Sequence, residues 1–589
     1  MNMQNILIGG AWPYANGPLH IGHIAALLPG DVLARYFRAK GERVCYVSGS
    51  DCHGTPVAIR ARQEARTPLE VSDRYHTEFR DVFGKLGFSF DRYGKTSSEE
   101  HKRFARNFHQ TMYESGLIEQ REAPQAVCPH CGGLTDRFVT GACPLCGEAA
   151  RGDQCDCCGA VLEAEQLRDA HCAQCGAAIE FRQSRQLYLA LTKLLPELTA
   201  LLERHPNWRN NAIAFTRRYL NEGLRDRAIT RDLDWGISVP KAGYNHKKIY
   251  IWAENVLGYL SMSEAVCREK GADFRALWGP GARHYYVHGK DNIPFHTVIL
   301  PALLLAYEDA GGGALHLPDE IISSEYMTLE GRRISTSKNW AVWAKDLLSR
   351  AQPDAIRYFF LANGPERRDA DFSQREFAER TNGELVGAYG NLINRTLAFL
   401  QKYRNGTVPD AQDDPQVRGR IAACFPLVGG LIEKGRFKDA LAACMELARF
   451  GNQYFDAGKP WVTRTEDPDT CEKTLWNCIQ LIGNLAVLLQ PFLPFSSDTV
   501  ISWPGASKRL APAGSAERRG AAGDAAAVSA DGLARCKTGP AGITAGRAFP
   551  KCFSALFPFT PAHPLPPPQA LRSPIRQTMQ DPLPAPPHP

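Results

Sequence analysis

The sequence predicts an α/β fold in which a doubly wound parallel sheet is split by an insertion and followed by an all-α bundle. Strand-like apolar runs alternate with helical periodicity in residues 1–115 and again in residues 236–350. A cysteine-rich segment in residues 116–235 interrupts this alternation, and the apolar spacing of residues 351–504 is almost wholly helical. A chain of 589 residues is long enough for several such domains.

The first half of the sheet begins with strands predicted at residues 6–8 and 44–47. The apolar spacing of Val32, Tyr36 and Phe37 predicts the helix between them. Strand, helix and strand in this order form the opening unit of a Rossmann-type fold. Three further apolar runs predict strands of the second half: residues 248–252, 284–288 and 321–322.

The end of the chain differs in composition from the rest. After about Pro504 the sequence consists of Ala-, Gly-, Arg- and Pro-rich stretches without an apolar period. Such a composition cannot bury enough apolar surface to fold. Residues 505–589 are therefore expected to be a disordered or degenerate tail.

Composition limits the class of protein. The hydrophobic content of 44% and the charged content of 22% are typical of a globular protein. The longest apolar runs are too short for a membrane span, and the first residues lack the basic segment of a signal peptide. We therefore expect a cytoplasmic protein without a membrane partner. The net charge of +6 permits a polyanionic partner without identifying one.

Eight of the 18 cysteines form four Cys-x-x-Cys pairs, each followed by glycine. Two thiolates at this spacing can grip one ion in a tight turn, and two pairs complete a tetrahedral zinc site. Such a site has no open position, so its role is structural; free buried thiols are the alternative. No ligand role is assigned to Cys157. We predict a first zinc site at Cys143, Cys146, Cys155 and Cys158, and a second at Cys128, Cys131, Cys172 and Cys175.

Two short motifs indicate phosphate binding. His20-Ile-Gly-His23 follows the first strand and begins a helix, where ring donors and backbone N–H groups can face a triphosphate. Capping or core histidines are the alternative. Arg333-Ile-Ser-Thr-Ser-Lys338 combines hydroxyls with basic residues and can bind phosphates. A solvated surface loop with the same composition is the alternative.

With both motifs in a split α/β domain, the chain resembles the class I aminoacyl-tRNA synthetases over about residues 3–504. The His20 motif is similar to the first signature of that class, and residues 333–337 stand where the second, Lys-Met-Ser-Lys-Ser, is expected. Four segments are similar to the methionyl enzymes in particular. They are residues 13–23, 49–56 and 289–296 and the insertion that carries the Cys-x-x-Cys pairs.

The resemblance implies that methionine reacts with ATP to give methionyl-adenylate and is then transferred to the 3′ end of tRNA(Met), for initiation and elongation. Catalysis of the first step is mostly positioning and stabilisation of phosphate charge. Mg²⁺ is expected to arrive with ATP. The phosphate-binding and catalytic residues carried over are His20, Gly22, His23, Arg333, Thr336 and Lys338.

The resemblance also implies a methionine pocket. Aromatic walls suit a flexible thioether, and a carboxylate suits an ammonium group, although each aromatic residue taken singly could be ordinary core. Asp51 is expected to anchor the amino group. The other pocket residues carried over are Trp12, Tyr14, Trp252, Tyr259 and His296.

In the bundle, the resemblance identifies Asn391, Arg395 and Trp461 as readers of the CAU anticodon. Asn391 and Arg395 are four residues apart, hence on one helix face, and Trp461 supplies a ring on which an unstacked base can lie. A helix surface with a core tryptophan is the alternative. We expect these residues to bind tRNA.

Three departures from the family pattern remain. Thr336 stands where the second signature usually has its middle lysine, and we expect Lys338 to substitute for it. Ala253-Glu-Asn-Val256 replaces an apolar residue followed by Asp-Ala-Pro, which is expected to alter amino-acid selectivity or inhibitor tolerance. Nothing after residue 504 resembles the dimer-forming tRNA-binding module of many relatives, so we expect a monomer.

Two rival functions stay open at this point. The first is a class I synthetase for leucine, isoleucine, valine or cysteine, although the insertion is too short for the editing domain of the first three. The second is a non-catalytic tRNA-binding paralogue, which the altered second signature keeps open.

Overall fold

The computed structural model describes residues 3–134, 138–152, 155, 157–158, 162–336 and 339–502. Lys338 and the predicted tail, residues 505–589, lie outside the described residues. Strands and helices are numbered along the chain below.

The first half of the α/β domain contains three strands and the helices that connect them. The strands are β1 (Asn5–Gly10), β2 (Arg43–Ser50) and β3 (Arg92–Lys95). The helices are α1 (Ile21–Lys40), α2 (Thr55–Gln63), α3 (Pro68–Lys85) and α4 (Glu99–Met112).

The insertion is built on a long antiparallel ribbon and a small sheet. Its strands are β4 (Ile118–Cys128), β5 (Gly132–Gly133), β6 (Val139–Ala142), β7 (Ala149–Arg151), β8 (Arg168–Cys172), β9 (Glu180–Leu189), β10 (Arg227–Ala228) and β11 (Thr230–Arg231). Its helices are α5 (Leu195–Arg204) and α6 (Asn210–Asn221), with 3₁₀ turns at Ala164–Gln166 and Leu191–Leu194. Strands β4 and β9 pair over ten positions, and β6 pairs with both β7 and β8.

The second half returns to the sheet. Its strands are β12 (Lys248–Ile249), β13 (Arg283–Gly289), β14 (Glu320–Ser324), β15 (Met327–Leu329), β16 (Arg332–Arg333) and β17 (Ala370–Phe372). Its α-helices are α7 (Gly258–Lys270), α8 (Phe274–Trp278), α9 (Leu300–Asp309), α10 (Ala344–Leu348) and α11 (Pro353–Ala362). Short 3₁₀ turns span Ile251–Ala253, Asn255–Leu257 and Lys290–Asn292, and a π-helical turn spans Phe295–Ile299.

The central sheet is parallel and has the order β14-β13-β1-β2-β3. The chain leaves β1 on one side, toward β2, and comes back on the other side with β13. The carboxyl ends of β1 and β13 therefore form the switch point at which such sheets bind ligands. The predicted Rossmann-type sheet is confirmed.

One predicted strand is corrected. Residues 248–252 were expected to join the central sheet, but only Lys248–Ile249 is a strand, and it pairs antiparallel with β11. Tyr250 N–H then bonds to the carbonyl of Ile229, and the chain turns at Ile251. In a short run in which every residue is apolar, the spacing of apolar residues cannot distinguish a central strand from a buried turn.

The C-terminal part is helical after β17, which pairs parallel with β15 inside the region expected to be helical. Its helices are α12 (Gln374–Arg380), a π-helical segment (Thr381–Gly390), α13 (Asn391–Arg404), α14 (Pro415–Glu433), α15 (Phe437–Gly458), α16 (Pro460–Glu466), α17 (Pro468–Leu489) and α18 (Pro494–Ile501). None of the helices in the described part of the chain has the length and apolar content to span a bilayer.

A buried arginine joins the two parts. The guanidinium of Arg357, on α11, donates to the Asp31 carboxylate of α1 at 2.7 Å and to the carbonyl of Phe492 between α17 and α18 at 2.7 Å. Arg357 and Asp31 are both fully buried. Removing either partner of such a pair would leave an unpaired buried charge, which strongly destabilises the fold. This contact therefore fixes α1 against the bundle.

Candidate active site

The two histidines of the first signature cap α1. The Nδ1 atom of His20 accepts from the Gly22 N–H at 3.1 Å, and the His20 N–H donates to Nδ1 of His23 at 3.1 Å. Since both Nδ1 atoms are acceptors, each neutral ring carries its proton on Nε2. Burial lowers the pKa of His20 to about 2, with His23 as a further cause, and that of His23 to about 4. The start of α1 therefore presents two neutral Nε2–H donors.

Glycine is required between these histidines. A Cβ at Gly22 would lie 2.9 Å from Cε1 and 3.0 Å from Nδ1 of His20. The same position is 3.9 Å from the side chain of Ile334, in the second signature. The two signatures are therefore close to each other.

Backbone hydrogen bonds hold the second signature beside the first. Ser335 and Trp340 exchange N–H···O bonds of 2.9 Å, which closes a hairpin around Thr336. Immediately after the hairpin, the N–H of Ile21 donates to the carbonyl of Val342 at 3.0 Å. Thr336, which follows Ser335, is exposed.

Arg333 is exposed and its guanidinium lies 5.3 Å from the centre of the Tyr326 ring. Lys338, the predicted substitute for the signature lysine, belongs to the residues that the structure leaves undescribed. Its role therefore stays a prediction.

Asp51 follows β2 and is fully buried. Its backbone exchanges hydrogen bonds of 2.8 Å with Pro13 and Ala15, which places Tyr14 directly beside it. One carboxylate oxygen accepts from the His53 N–H at 3.3 Å and the other from the Asn255 amide at 3.1 Å. Burial, together with the nearby Glu254, raises the pKa of Asp51 well above its usual range.

Glu254 forms a buried cluster with two histidines that the sequence reasoning did not assign. Its Oε1 lies 2.8 Å from Nδ1 of His53 and 3.3 Å from Nε2 of His101. Burial opposes its ionisation, but the two histidines outweigh burial and lower the pKa of Glu254 to about 2. The available signals were the unusual Glu254 after Trp252 and the presence of His53 in the family-like segment 49–56.

The aromatic residues converge beside Asp51. Nδ1 of His296 donates to the carbonyl of Asn292 at 2.8 Å, so its Nε2 accepts from the Tyr259 hydroxyl at 2.9 Å. Burial lowers the pKa of His296 to about 4, which keeps the ring neutral. The rings of Trp12 and Tyr259 meet edge to face at 6.3 Å.

Trp252 and Tyr14 lie at the rim of this group. The Trp252 ring packs edge-on against Phe295, the neighbour of His296, at 4.9 Å. Tyr14 is 39% exposed, whereas Trp12, Tyr259 and His296 are buried. The arrangement is a group of aromatic rings beside the buried carboxylate of Asp51, which suits a small ligand that carries a cation and an apolar chain.

The cysteines gather in the predicted sets of four. Within each set the Sγ atoms lie within 4.8 Å of one another. Measured pairs are Cys128–Cys175 at 3.5 Å, Cys143–Cys158 at 3.8 Å and Cys146–Cys155 at 3.6 Å. Zn–S bonds of about 2.3 Å place tetrahedral sulfur atoms about 3.8 Å apart, so both donor sets fit zinc. Cys157 is outside both sets.

The three predicted anticodon readers lie on α13 and α16, and their partners lie on α15. Asn391 donates to Asn452 at 2.9 Å, and Arg395 pairs with Asp456 while its guanidinium covers the Phe455 ring at 4.2 Å. Trp461 is 47% exposed and its ring centre is 6.3 Å from that of Phe455. Phe455 therefore brings Arg395 and Trp461 to one surface.

Comparison with known proteins identifies the family. The family model described as "tRNA synthetases class I (M)" matches residues 6–397, and "Anticodon binding domain of methionyl tRNA ligase" matches residues 420–518. The methionine–tRNA ligase of Bacillus mycoides (strain KBAB4) is 51% identical over 501 residues, covering 84% of this chain and 91% of that protein. Methionine–tRNA ligase 1 of Alkaliphilus oremlandii (strain OhILAs) is 50% identical over 504 residues, covering 85% and 92%.

The fold is also similar to that of a solved structure. Mycobacterium tuberculosis methionyl-tRNA synthetase in complex with methionyl-adenylate superposes with a TM-score of 0.71 at 22% identity, covering 85% of this chain and 94% of that one. The half-identical curated relatives and the family model over most of the chain agree with this fold. The chain therefore belongs to the methionyl family of class I tRNA synthetases.

Proposed function

We propose that this chain is a methionine–tRNA ligase that forms methionyl-adenylate from methionine and ATP and transfers the methionyl group to the 3′ end of tRNA(Met). The closeness of the two signatures, together with the Asp51 carboxylate at the carboxyl end of β2, carries this proposal. Adenylation requires a phosphate-binding site next to an amino-acid site. The start of α1 with His20, the loop that follows Arg333 and the Asp51 carboxylate supply these groups at the carboxyl ends of the central strands.

In the first step, a methionine carboxylate oxygen attacks the α-phosphorus of ATP and pyrophosphate leaves. The chain contributes position and charge stabilisation rather than covalent chemistry. The Nε2–H groups of His20 and His23 donate to phosphate oxygens, and Arg333, Thr336 and Lys338 hold the pyrophosphate side. Mg²⁺ accompanies ATP as its counter-ion.

In the second step, a hydroxyl of the 3′-terminal adenosine attacks the methionyl carbonyl and AMP leaves. The amino acid stays anchored through both steps by the Asp51 carboxylate. Trp12, Tyr14, Trp252, Tyr259 and His296 enclose the thioether chain.

Methionine-dependent ATP–pyrophosphate exchange tests this function. Exchange with methionine, and none with leucine or cysteine, is the expected result. Exchange driven by another amino acid would identify a different class I synthetase. Absence of exchange together with tRNA(Met) binding would identify a non-catalytic paralogue.

For the domains, we propose a catalytic domain formed by residues 1–115 and 236–350, a connective insertion of residues 116–235 and an anticodon-binding domain of residues 351–504. The cytoplasmic location and the monomeric state stay predictions from the sequence.

We propose that each cysteine set holds one structural zinc ion. Replacing Cys146 by serine is expected to lower the metal content from about two zinc ions per chain to about one, because one of four thiolate ligands is lost. Metal analysis by mass spectrometry measures this content. Cys157→Ser is the control and is expected to keep both ions; equal losses in the two variants would contradict the assignment.

We propose that Asn391, Arg395 and Trp461 read the anticodon. Replacing Trp461 by alanine is expected to raise the KM for tRNA(Met) by about 5- to 150-fold, because stacking on one base contributes about 1–3 kcal/mol. Methionine-dependent pyrophosphate exchange, which needs no tRNA, should not change.

Leu427→Ala is the matched control for Trp461. Leu427 is an apolar bundle residue of similar exposure, at 53%, and its removal is expected to leave the KM for tRNA unchanged. A fall in exchange activity with the Trp461 variant would indicate a folding role instead.

A further inference from the structure

A half-buried amide next to Asp51 has one polar atom paired and the other unpaired. Asn255 begins the 3₁₀ turn Asn255–Leu257, between Trp252 and Tyr259. Its Nδ2 donates to Asp51 Oδ2 at 3.1 Å. Its Oδ1 is buried and has no hydrogen-bond partner among the described residues.

The orientation of this amide follows from the carboxylate beside it. An ionised carboxylate only accepts hydrogen bonds, so the NH₂ group of Asn255 must face Asp51. Its Oδ1, on the same rigid amide, is thereby turned away from Asp51. Buried acceptors without a partner are uncommon in folded proteins, and such an atom calls for a group that will complete it.

The missing partner matches the amino end of an amino acid. An α-ammonium group has three N–H donors, and Asp51 alone leaves part of this capacity unused. A neutral amide oxygen adds an acceptor without a further negative charge. This matters because burial and the charge of Glu254 already raise the pKa of Asp51, and a third carboxylate here would add to the repulsion.

We propose that Asn255 is a positioning residue of the methionine site that fixes the Asp51 carboxylate through Nδ2 and accepts a hydrogen bond from the substrate's α-ammonium through Oδ1. This inference rests on the proposed function, since it assigns a contact to the substrate named there. Asn255 departs from the family pattern at this position. The proposal assigns it to recognition of the amino group of methionine rather than of the thioether.

Two variants and two ligands test the proposal in ATP–pyrophosphate exchange. Asn255→Leu keeps the branching at Cγ and replaces both polar atoms by methyl groups, and Asn255→Ala removes the side chain beyond Cβ. The second ligand is 4-(methylsulfanyl)butanoate, which is methionine without its amino group, used as an inhibitor competing with methionine. Asn245→Ala, at an exposed asparagine, is the matched control.

Both Asn255 variants are expected to raise the KM for methionine about tenfold with little change in kcat. The inhibition constant of the desamino compound is expected to stay the same, because that compound has no ammonium group to lose a contact. An unchanged KM, or equal shifts for methionine and the desamino compound, would overturn the proposal. A wild-type chain without methionine-dependent exchange would instead overturn the proposed function.

Discussion

Replacing His20 by alanine is expected to lower the rate of methionine-dependent pyrophosphate exchange by about 10²–10³-fold. The reason is the loss of a neutral Nε2–H donor aimed at charge that develops on the phosphates, where removal of one such donor costs about 3–4 kcal/mol. The low pKa of His20, about 2, keeps the ring neutral, so the loss should be the same throughout the range from pH 6 to 9.

His20 has a second role that must be separated from the first. Its Nδ1 caps α1, and losing a cap costs about 1 kcal/mol of stability. His20→Asn retains an acceptor for the cap but has no donor at the Nε2 position. The asparagine variant is therefore expected to keep the melting temperature and lose the exchange rate, whereas the alanine variant loses both.

The control for both His20 variants is His246→Ala, at an exposed histidine outside the site. It is expected to leave exchange and stability unchanged. Full activity of His20→Asn would show that the cap, and not the donor, is what the reaction needs.

Replacing Asp51 by asparagine is expected to raise the KM for methionine by about 100-fold. The variant keeps the shape of the side chain and removes the charge that faces the ammonium group, a charge-assisted contact of about 3 kcal/mol. Stability should be retained or increased, because Asp51 is fully buried and is opposed by Glu254. A gain in melting temperature with a loss of substrate affinity would identify a site that sacrifices stability for binding.

The same carboxylate predicts a pH dependence. Burial and Glu254 raise the pKa of Asp51 above the usual aspartate range, so its protonation on acidification begins at a higher pH than for an ordinary aspartate. Protonated Asp51 no longer pairs with the ammonium group, so the KM for methionine should rise as the pH falls. In Asp51→Asn this rise should disappear.

Asp410→Asn, in an exposed part of the bundle, is the control for Asp51. It is expected to change neither the KM for methionine nor its pH dependence. An Asp51→Asn variant with the wild-type KM would exclude Asp51 as the anchor of the amino group.

Much of the fold follows from local pattern. Strands β1, β2, β13 and β14 and helix α1 coincide with apolar runs and periods that neighbouring residues define by themselves. The cysteine pairs behave in the same way: the positive φ values of Gly132, Gly147 and Gly176 show why glycine follows them. Residues 248–252 were not predicted correctly, because a short apolar run does not specify which strand will pair with it.

The features of the site also fall into those set by neighbouring residues and those set by contacts between distant residues. The sequence by itself determined the sheet, the cysteine pairs, the His20 and His23 motif and the family, because each depends on residues close together in the chain. Only the tertiary structure showed that Ile334 lies near Gly22, that His53 and His101 lie beside Glu254, and that Asn255 holds Asp51. These contacts join residues 153 to 312 positions apart, and burial gives them their strength; neither chain closure nor burial can be read from local sequence.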